Sequence, residues 1–315
     1  MMKSFLLKCT LFTLLVISGL ILGLALPVTP RASKSSFYSA IQKDSLLANV
    51  DSPRMIFIGG SNISFGLNSQ MIKDSLNINS INTGISAGLG LKFMLENTAQ
   101  YVKEGDIIIA PLEYVHYTND YDYCSETLLR IIMDVNKGYL RLLNFRQTLR
   151  LLPLVLNYIN SKLRLSAYFN FEIDPIHSIN SFNAYGDEYA HWNMENRNFE
   201  PYGRLNEFNR QIIGKIKNFE KTVEQKGATF YITYPSYMDK SFYESEDIIA
   251  DIQSELEKNF KVLGTPERYM MSDSLMFDTS YHLNKKGLEI RTVRLIEDIK
   301  NAQATTKLQC RDCIN

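Results

Sequence analysis

Short apolar segments that alternate with helical segments are the feature that most constrains the fold of this chain. The apolar segments lie at residues 54–59, 78–83, 107–110, 229–233 and, as a shorter edge segment, 261–263. Segments with helical spacing lie at 68–76, 88–102, 205–225, 247–259 and 285–302. Such alternation is typical of βαβ units with a parallel sheet. We therefore predict an α/β fold, a three-layer α/β/α sandwich around a mostly parallel sheet of about five strands.

A long insertion separates the third predicted strand from the fourth. It runs from Leu112 to Arg204, with a helical part at 125–165 and an aromatic, Asn-rich part at 166–203. Because the chain leaves a parallel strand at its carboxyl end, the insertion is expected over the crevice where such folds bind ligands. We therefore predict an α/β domain over residues 53–302 with an insertion at 112–204 that sets substrate specificity. A flexible tail is expected at 303–315.

The N-terminus predicts the compartment. Residues 9–26 are apolar and uncharged, and a helix of this length spans roughly 27 Å, close to the thickness of a bilayer core. The length and the poor cleavage site after the run favour an uncleaved anchor over a signal peptide. Residues 1–30 are thus expected to be a membrane anchor, or else a signal sequence, followed by a polar stalk at 31–52. Both alternatives place the rest of the chain outside the cytoplasm, on the periplasmic or cell-surface side.

Composition argues against several classes of protein. Lys+Arg and Asp+Glu are equal at 34 each, so the chain lacks the basic excess of a general nucleic-acid binder. The four cysteines do not make a disulfide framework, and the terminal pair Cys310 and Cys313 has no second pair to complete a zinc site. We find no P-loop, Gly-x-Gly-x-x-Gly or His-Glu-x-x-His. No metal, cofactor or nucleic acid is therefore predicted.

Two short motifs carry candidate chemistry. Gly59-Gly60-Ser61-Asn62 begins where the first strand ends, so the serine is expected on a sharp turn at the carboxyl edge of the sheet. Asp278-Thr-Ser-Tyr-His282 precedes the last helix, from which a histidine can reach back to the same edge. A serine, a histidine and a carboxylate in one place are the components of a nucleophilic triad. Each motif alone is equally compatible with an ordinary capping turn.

Together the motifs resemble the SGNH/GDSL hydrolase superfamily. Gly59-x-Ser61 matches its nucleophile block, Asn82-Thr83-Gly84 its second block, and His282-Leu-Asn-x-x-Gly287 its last block. The resemblance covers residues 53–111 and 205–300, and is closest to membrane-anchored proteins of cell-envelope polysaccharide acylation. It implies a flavodoxin-like sheet, Ser61 as nucleophile, His282 as base and Asp278 as its partner. It further implies an oxyanion hole made by the amides of Ser61 and Gly84, with Gly88 as a second choice for Gly84.

The chain departs from the family at two places. The family aspartate lies three residues before the histidine, where this chain has Thr279, so Asp278 must reach the ring across one extra residue; Ser280 or a backbone carbonyl are alternatives. The asparagine expected after the third strand is also absent, since the strand runs into Pro111-Leu112-Glu113-Tyr114. Asn119 or Asn62 is then expected to supply the missing oxyanion donor. An ionised Glu113 would oppose the oxyanion, so its alternative roles are binding of a substrate hydroxyl and a structural hydrogen bond to the backbone.

The remaining candidates concern the substrate. His116 lies near the expected crevice, and His191 and Trp192 lie in the aromatic insertion, where rings can stack on sugars or pack against the body. The function expected from these residues is that of a serine esterase or O-acyltransferase acting on envelope carbohydrate. The alternative is an inactive protein of the same fold that binds a glycan or a membrane partner of envelope biosynthesis.

Overall fold

The computed structural model describes residues 2–312, with side chains as far as residue 304. Its strands are β1 (Arg54–Phe57), β2 (Asn79–Asn82), β3 (Ile107–Pro111), β4 (Thr229–Thr233), β5 (Tyr237–Met238), β6 (Val262–Leu263) and β7 (Met270–Met271). Its α-helices are α1 (Met2–Ala25), α2 (Pro30–Ser33), α3 (Ser39–Asn49), α4 (Ser61–Ser64), α5 (Ser69–Leu76), α6 (Leu91–Ala99), α7 (Val115–Thr118), α8 (Glu126–Arg130), α9 (Phe145–Leu151), α10 (Val155–Lys162), α11 (Gln211–Gln225), α12 (Asp239–Tyr243), α13 (Glu246–Asn259) and α14 (Lys285–Asp312).

The main sheet is parallel and has the strand order β2-β1-β3-β4-β6. Every residue of β1 is buried, because helices and loops cover the sheet. Phe57 of β1 lies beside Asn82 of β2 and Ile109 of β3, so these three strands end at one edge. The prediction of an α/β fold with a parallel sheet of about five strands is confirmed. β5 and β7 form a separate two-stranded parallel pair that the sequence did not predict.

Two helices begin later than the sequence predicts. The helix predicted at 205–225 begins at Gln211, because the side chain of Asn209 accepts the N–H of Gln211 and its own N–H binds the carbonyl of Tyr117. The helix predicted at 88–102 begins at Leu91, because Gly90 has a φ of +82° and lies against the carbonyl of Tyr123. Only glycine adopts this conformation without strain.

Both ends of the predicted α/β domain also need correction. The segment at 31–52 is not an independent stalk, since α3 packs its buried Ala40 and Leu47 into the main core. Lys43 of α3 is buried as well and donates to the carbonyl of Asn82 at 3.0 Å. At the other end α14 continues to Asp312 beyond the predicted start of the tail. The side chain of Cys310 and the whole of Cys313 lie outside the described residues, so their pairing stays untested.

Helix α1 differs in character from the rest. It is long and apolar enough to span a membrane, and its most apolar window of 18 residues is not buried at all. Its last turn contacts the body, since Gly23 lies against Ile159 of α10, and just after the helix the carbonyl of Leu26 accepts a hydrogen bond of 2.7 Å from Lys162 Nζ. A helix that is apolar on every face and uncovered by protein fits a membrane anchor or a signal sequence.

Candidate functional site

A cavity of about 440 Å³ lies beyond the carboxyl ends of β1 and β2, and both Ser61 and His282 line it. Ser61 is the first residue of α4, directly after the turn that leaves β1. His282 lies in the loop before α14. The fold thus brings together two motifs that are 221 residues apart in the sequence (282 − 61). Their catalytic roles stay a prediction.

Asp278 reaches the imidazole of His282 despite the extra residue between them. His282 Nδ1 donates to Asp278 Oδ1 at 2.7 Å. Thr279 makes this contact geometrically accessible, because its Oγ1 accepts the N–H groups of Tyr281 at 3.2 Å and of His282 at 3.1 Å and so tightens the turn. Ser280, the alternative partner, accepts the N–H of Tyr202 at 2.8 Å instead.

The plane of the His282 ring is fixed from a second side by Phe65. The two rings stack with centroids 4.1 Å apart and planes 4° from parallel. Phe65 directly follows α4, one helical turn after Ser61. The helix that carries Ser61 therefore also carries a side chain that holds His282. His282 Nε2 has no hydrogen-bond partner among the described residues, and the residue lines the cavity.

Glu113 lies beside the same turn and is buried. Its Oε1 accepts the N–H of Asn62 at 3.1 Å, and its charge interacts with that of His282. Burial raises the pKa of Glu113 above the ordinary 4.5, with the Asn62 hydrogen bond and His282 opposing the rise. Tyr202 and Tyr281 also lie within electrostatic range of this carboxyl group. Its second oxygen has no hydrogen-bond partner among the described residues.

Three of the predicted oxyanion donors do not point freely into the cavity. The N–H of Gly84 donates to Asn82 Oδ1 at 3.0 Å. The backbone N–H of Asn62 donates to Glu113, and its side-chain Nδ2 donates to the carbonyl of Pro111 at 2.7 Å. Asn119 does not line the cavity, and its N–H binds the carbonyl of Val115. The expected roles of Gly84, Asn62 and Asn119 therefore do not match this arrangement.

The backbone N–H groups of Ser61 and Ala87 are among those near this turn that have no acceptor among the described residues, and of these two residues only Ser61 lines the cavity. Ala87 lies very close to the serine turn, since a Cβ on Gly60 would be 2.7 Å from its nitrogen. The same Cβ would collide with Oε1 of Glu113. Glycine is thus required at position 60, because the loop after β2 and the carboxyl group of Glu113 leave no room for a side chain there. The sequence interpretation missed Ala87, which directly follows the Gly84-Ile-Ser stretch.

The predicted substrate-binding residues His116, His191 and Trp192 do not line the cavity. His116 is buried, and burial lowers its pKa to about 4, so it is neutral at pH 7. His191 is buried against Glu188 and packs between the rings of Phe65 and Phe277. Trp192 packs on a small apolar cluster around Met238. These rings follow the packing alternative, because an aromatic side chain gains more from burial than from exposure.

The walls of the cavity come mostly from residues that no motif marked. The wall surface is mostly apolar, although six of the thirteen lining residues carry hydroxyl groups; besides Ser61 and His282 the residues are Ser35, Ser36, Phe37, Ser64, Phe65, Ile85, Ser86, Thr127, Ile176, His177 and Phe182. Several belong to the insertion, as predicted, but others belong to the segment before α3 that was expected to be a stalk. Ser86 lies four residues after the end of β2, just as Ser61 lies four residues after the end of β1. This repeated spacing is the sequence pattern that could have marked Ser86 as a residue of the cavity.

Among the described residues no group of three or more His, Cys, Asp or Glu side chains is arranged to hold a metal ion. Comparison of the chain with protein-family models, curated proteins and solved structures gives no match. The geometry of the cavity is therefore the basis for any statement about function.

Proposed function

We propose that this chain is a serine esterase or O-acyltransferase, held at the outer side of a membrane by α1. The observation that carries the proposal is the shared cavity of Ser61 and His282, with the imidazole held by Asp278 on one side and Phe65 on another. A base that is oriented by a carboxylate and shares a cavity with a serine has the components that activate a hydroxyl nucleophile. The parallel sheet order agrees with the flavodoxin-like, three-layer architecture that the resemblance to SGNH/GDSL hydrolases implies.

The proposed reaction has two steps. Ser61 Oγ attacks the carbonyl carbon of an ester while its proton passes to Nε2 of His282. The tetrahedral intermediate collapses to an acyl-serine, and His282 returns the proton to the leaving alcohol. A water molecule or a second hydroxyl then attacks the acyl-serine, which gives hydrolysis or acyl transfer. The mostly apolar wall of the cavity suits an acyl group of modest size.

The oxyanion of this intermediate needs donors that differ from the family pattern. The N–H groups of Ser61 and Ala87 are among the unpaired donors beside the turn. Glu113 adds a third donor when it is neutral, because a protonated carboxyl group donates from the oxygen that has no partner. Its raised pKa favours that neutral form. This use of a buried carboxylic acid removes the repulsion that an ionised Glu113 would exert.

The substrate class comes from the export of the chain and from its resemblance to envelope acylation proteins. Both favour acyl esters, of which acetyl is the simplest, on a cell-envelope carbohydrate. The rival function is a glycan-binding protein that keeps the fold without activity. One observation favours this rival: the N–H groups of Gly84 and Asn62 already donate to other acceptors, so neither is free to bind an oxyanion. Losing one oxyanion donor typically lowers the rate by about a hundredfold or more.

A serine-directed fluorophosphonate distinguishes the two functions. We expect the full chain in detergent to label covalently, and Ser61→Ala to abolish the labelling. Ser36→Ala is the matched control, because Ser36 lines the same cavity and its hydroxyl has no hydrogen-bond partner among the described residues. A folded chain that never labels and hydrolyses no acetyl ester would support the rival.

A further inference from the structure

The insertion carries an apolar stripe that faces outward instead of into the core. Phe145, Leu149, Leu152 and Leu156 recur at intervals of four, three and four residues along α9, a short 3₁₀ turn and α10. This spacing places them on one helical face. Their exposed fractions range from 48% at Leu149 to 78% at Phe145. Leu163 lies two helical turns beyond Leu156, extends the stripe and is 64% exposed.

The stripe lies next to the end of the apolar helix α1. Ile159 of α10 is so close to Gly23 that a Cβ there would lie 2.6 Å from its Cγ2. Lys162, at the end of α10, binds the carbonyl of Leu26. If α1 crosses a bilayer, its last turn marks the level of the membrane surface, and α10 lies at that level.

The charge of this segment is one-sided. Between residues 136 and 171 there is no Asp or Glu, whereas the basic residues are Lys137, Arg141, Arg146, Arg150, Lys162 and Arg164. Some of this charge is paired, since Arg146 and Arg150 contact Asp120. Beside the end of α1, Arg31, Arg130 and Arg164 line a cleft of about 310 Å³ that also contains Asp134. Basic residues beside an exposed apolar face are typical of helices that lie in the interface of an anionic membrane.

We propose that residues 145–165 dock on the same bilayer that α1 enters, with the apolar stripe among the acyl chains and the basic residues at anionic lipid headgroups. The proposal rests on the membrane anchoring of α1. Continuity with α1 favours lipid over a protein partner. A second copy of the chain would bring two basic segments face to face, which costs energy.

The docking has a consequence for the candidate site. Ser35 and Phe37 line both the basic cleft beside α1 and the cavity of Ser61. Docking of the insertion would therefore hold the Ser61 cavity close to the headgroup region. Substrates presented at the membrane surface would then reach the cavity without leaving that surface.

The test uses an environment-sensitive fluorophore on single cysteines in the full chain, reconstituted into phosphatidylcholine/phosphatidylglycerol vesicles. The four native cysteines are first replaced by serine. Labels are placed at Leu149→Cys and Leu156→Cys in the stripe, at Leu15→Cys in α1, and at Tyr243→Cys as an exposed control on α12. All four positions are exposed in the structure, so the substitutions should not disturb packing.

Quenching by lipids that carry a doxyl group reads out contact with the bilayer. We expect the labels at 149 and 156 to show at least about half the quenching seen at 15, and the label at 243 to show almost none. Stripe labels that behave like the label at 243, while the label at 15 is quenched, would overturn the docking and leave the anchor intact. Labels shielded from aqueous iodide yet not quenched by lipid would overturn the docking and show that a second copy of the chain covers the stripe. A label at 15 that escapes the doxyl lipid would overturn the anchor itself.

Discussion

Two buried carboxylates at the carboxyl edge of the sheet differ in how they are satisfied. Asp187 accepts four hydrogen bonds, from the N–H and hydroxyl of Ser69 and from the side-chain amides of Asn82 and Asn183. Glu113 accepts one, from the N–H of Asn62. Buried polar groups are normally paired, so a network like that of Asp187 is built to hold loops together. The second oxygen of Glu113 is instead accessible, so water or a ligand can pair with it.

Groups without a partner lie at and beside the Ser61 cavity. The N–H of Ser61, Nε2 of His282 and the second oxygen of Glu113 all lack a hydrogen-bond partner among the described residues. Neither of the two side-chain atoms is buried without a partner, so both are open to water or to a ligand. A substrate that occupies the cavity of Ser61 and His282 could therefore pair with them in place of water.

The largest expected effect on stability is that of Asp187→Asn. The amide would place an NH₂ group against the donors of Ser69, Asn82 or Asn183, so bonds would be lost and donors would face each other. We expect the free energy of unfolding to fall by roughly 3 kcal/mol, as for other disrupted buried networks. Denaturant titration of the full chain in detergent measures it. A fall of less than about 1 kcal/mol would mean that the network is not structural.

Glu113→Gln should raise the free energy of unfolding, whereas Asp187→Asn should lower it. Because the folded-state pKa of Glu113 lies above its ordinary 4.5, the folded state binds more protons, and its stability falls as pH rises through the raised value. Glutamine keeps an oxygen for the Asn62 N–H, adds a donor and removes this titration. At pH values above the raised pKa of Glu113, we expect the free energy of unfolding of the variant to exceed that of the parent chain by on the order of 1 kcal/mol. Below pH 4 we expect the two chains to be equally stable.

Unfolding titrations of Glu113→Gln and the parent chain across pH 4 to 9 measure this difference. The esterase rate should persist in the variant, since the amide can replace the carboxylic acid as a donor. A variant that is less stable than the parent at every pH would show that the ionised carboxylate is the form that the fold requires.

The smallest expected effect compares two serines. Ser69→Ala removes the 2.7 Å bond to Asp187 and should cost about 1 kcal/mol of unfolding free energy. Ser61→Ala should change it by less than about 0.5 kcal/mol, since the Ser61 hydroxyl has no partner among the described residues. Equal losses for both would indicate that Ser61 is held structurally, which would weaken its assignment as a nucleophile.

The sequence predicted the sheet well because its strands carry short apolar runs ended by turns, a local pattern. It also predicted that Ser61 and His282 would lie at the same edge of the sheet, where they line one cavity, since motifs after a first strand and before a last helix meet at one edge of a parallel sheet. It failed for the stalk at 31–52, whose polar composition hides the few apolar residues, Ala40 and Leu47, that pack into the core.

Other failures were long-range in origin. Nothing local to Gly84 or Asn62 shows that Asn82 and Glu113 will accept their N–H groups, because these partners come from different strands or loops. His116, His191 and Trp192 look like exposed polar-aromatic residues in sequence, yet tertiary packing buries or covers them. The outward stripe of α9 and α10 has the periodicity of any amphipathic helix. This periodicity shows that the helix has an apolar face, but it does not show whether the core covers that face.

The central claim is that His282 activates Ser61, and the rate of fluorophosphonate attack tests it most directly. The account predicts that mass spectrometry will locate the adduct on Ser61, and that His282→Gln will lower the labelling rate by about a hundredfold or more while the variant remains folded at the assay temperature. An adduct on another residue, or a Ser61 that labels equally fast without the imidazole, would contradict it.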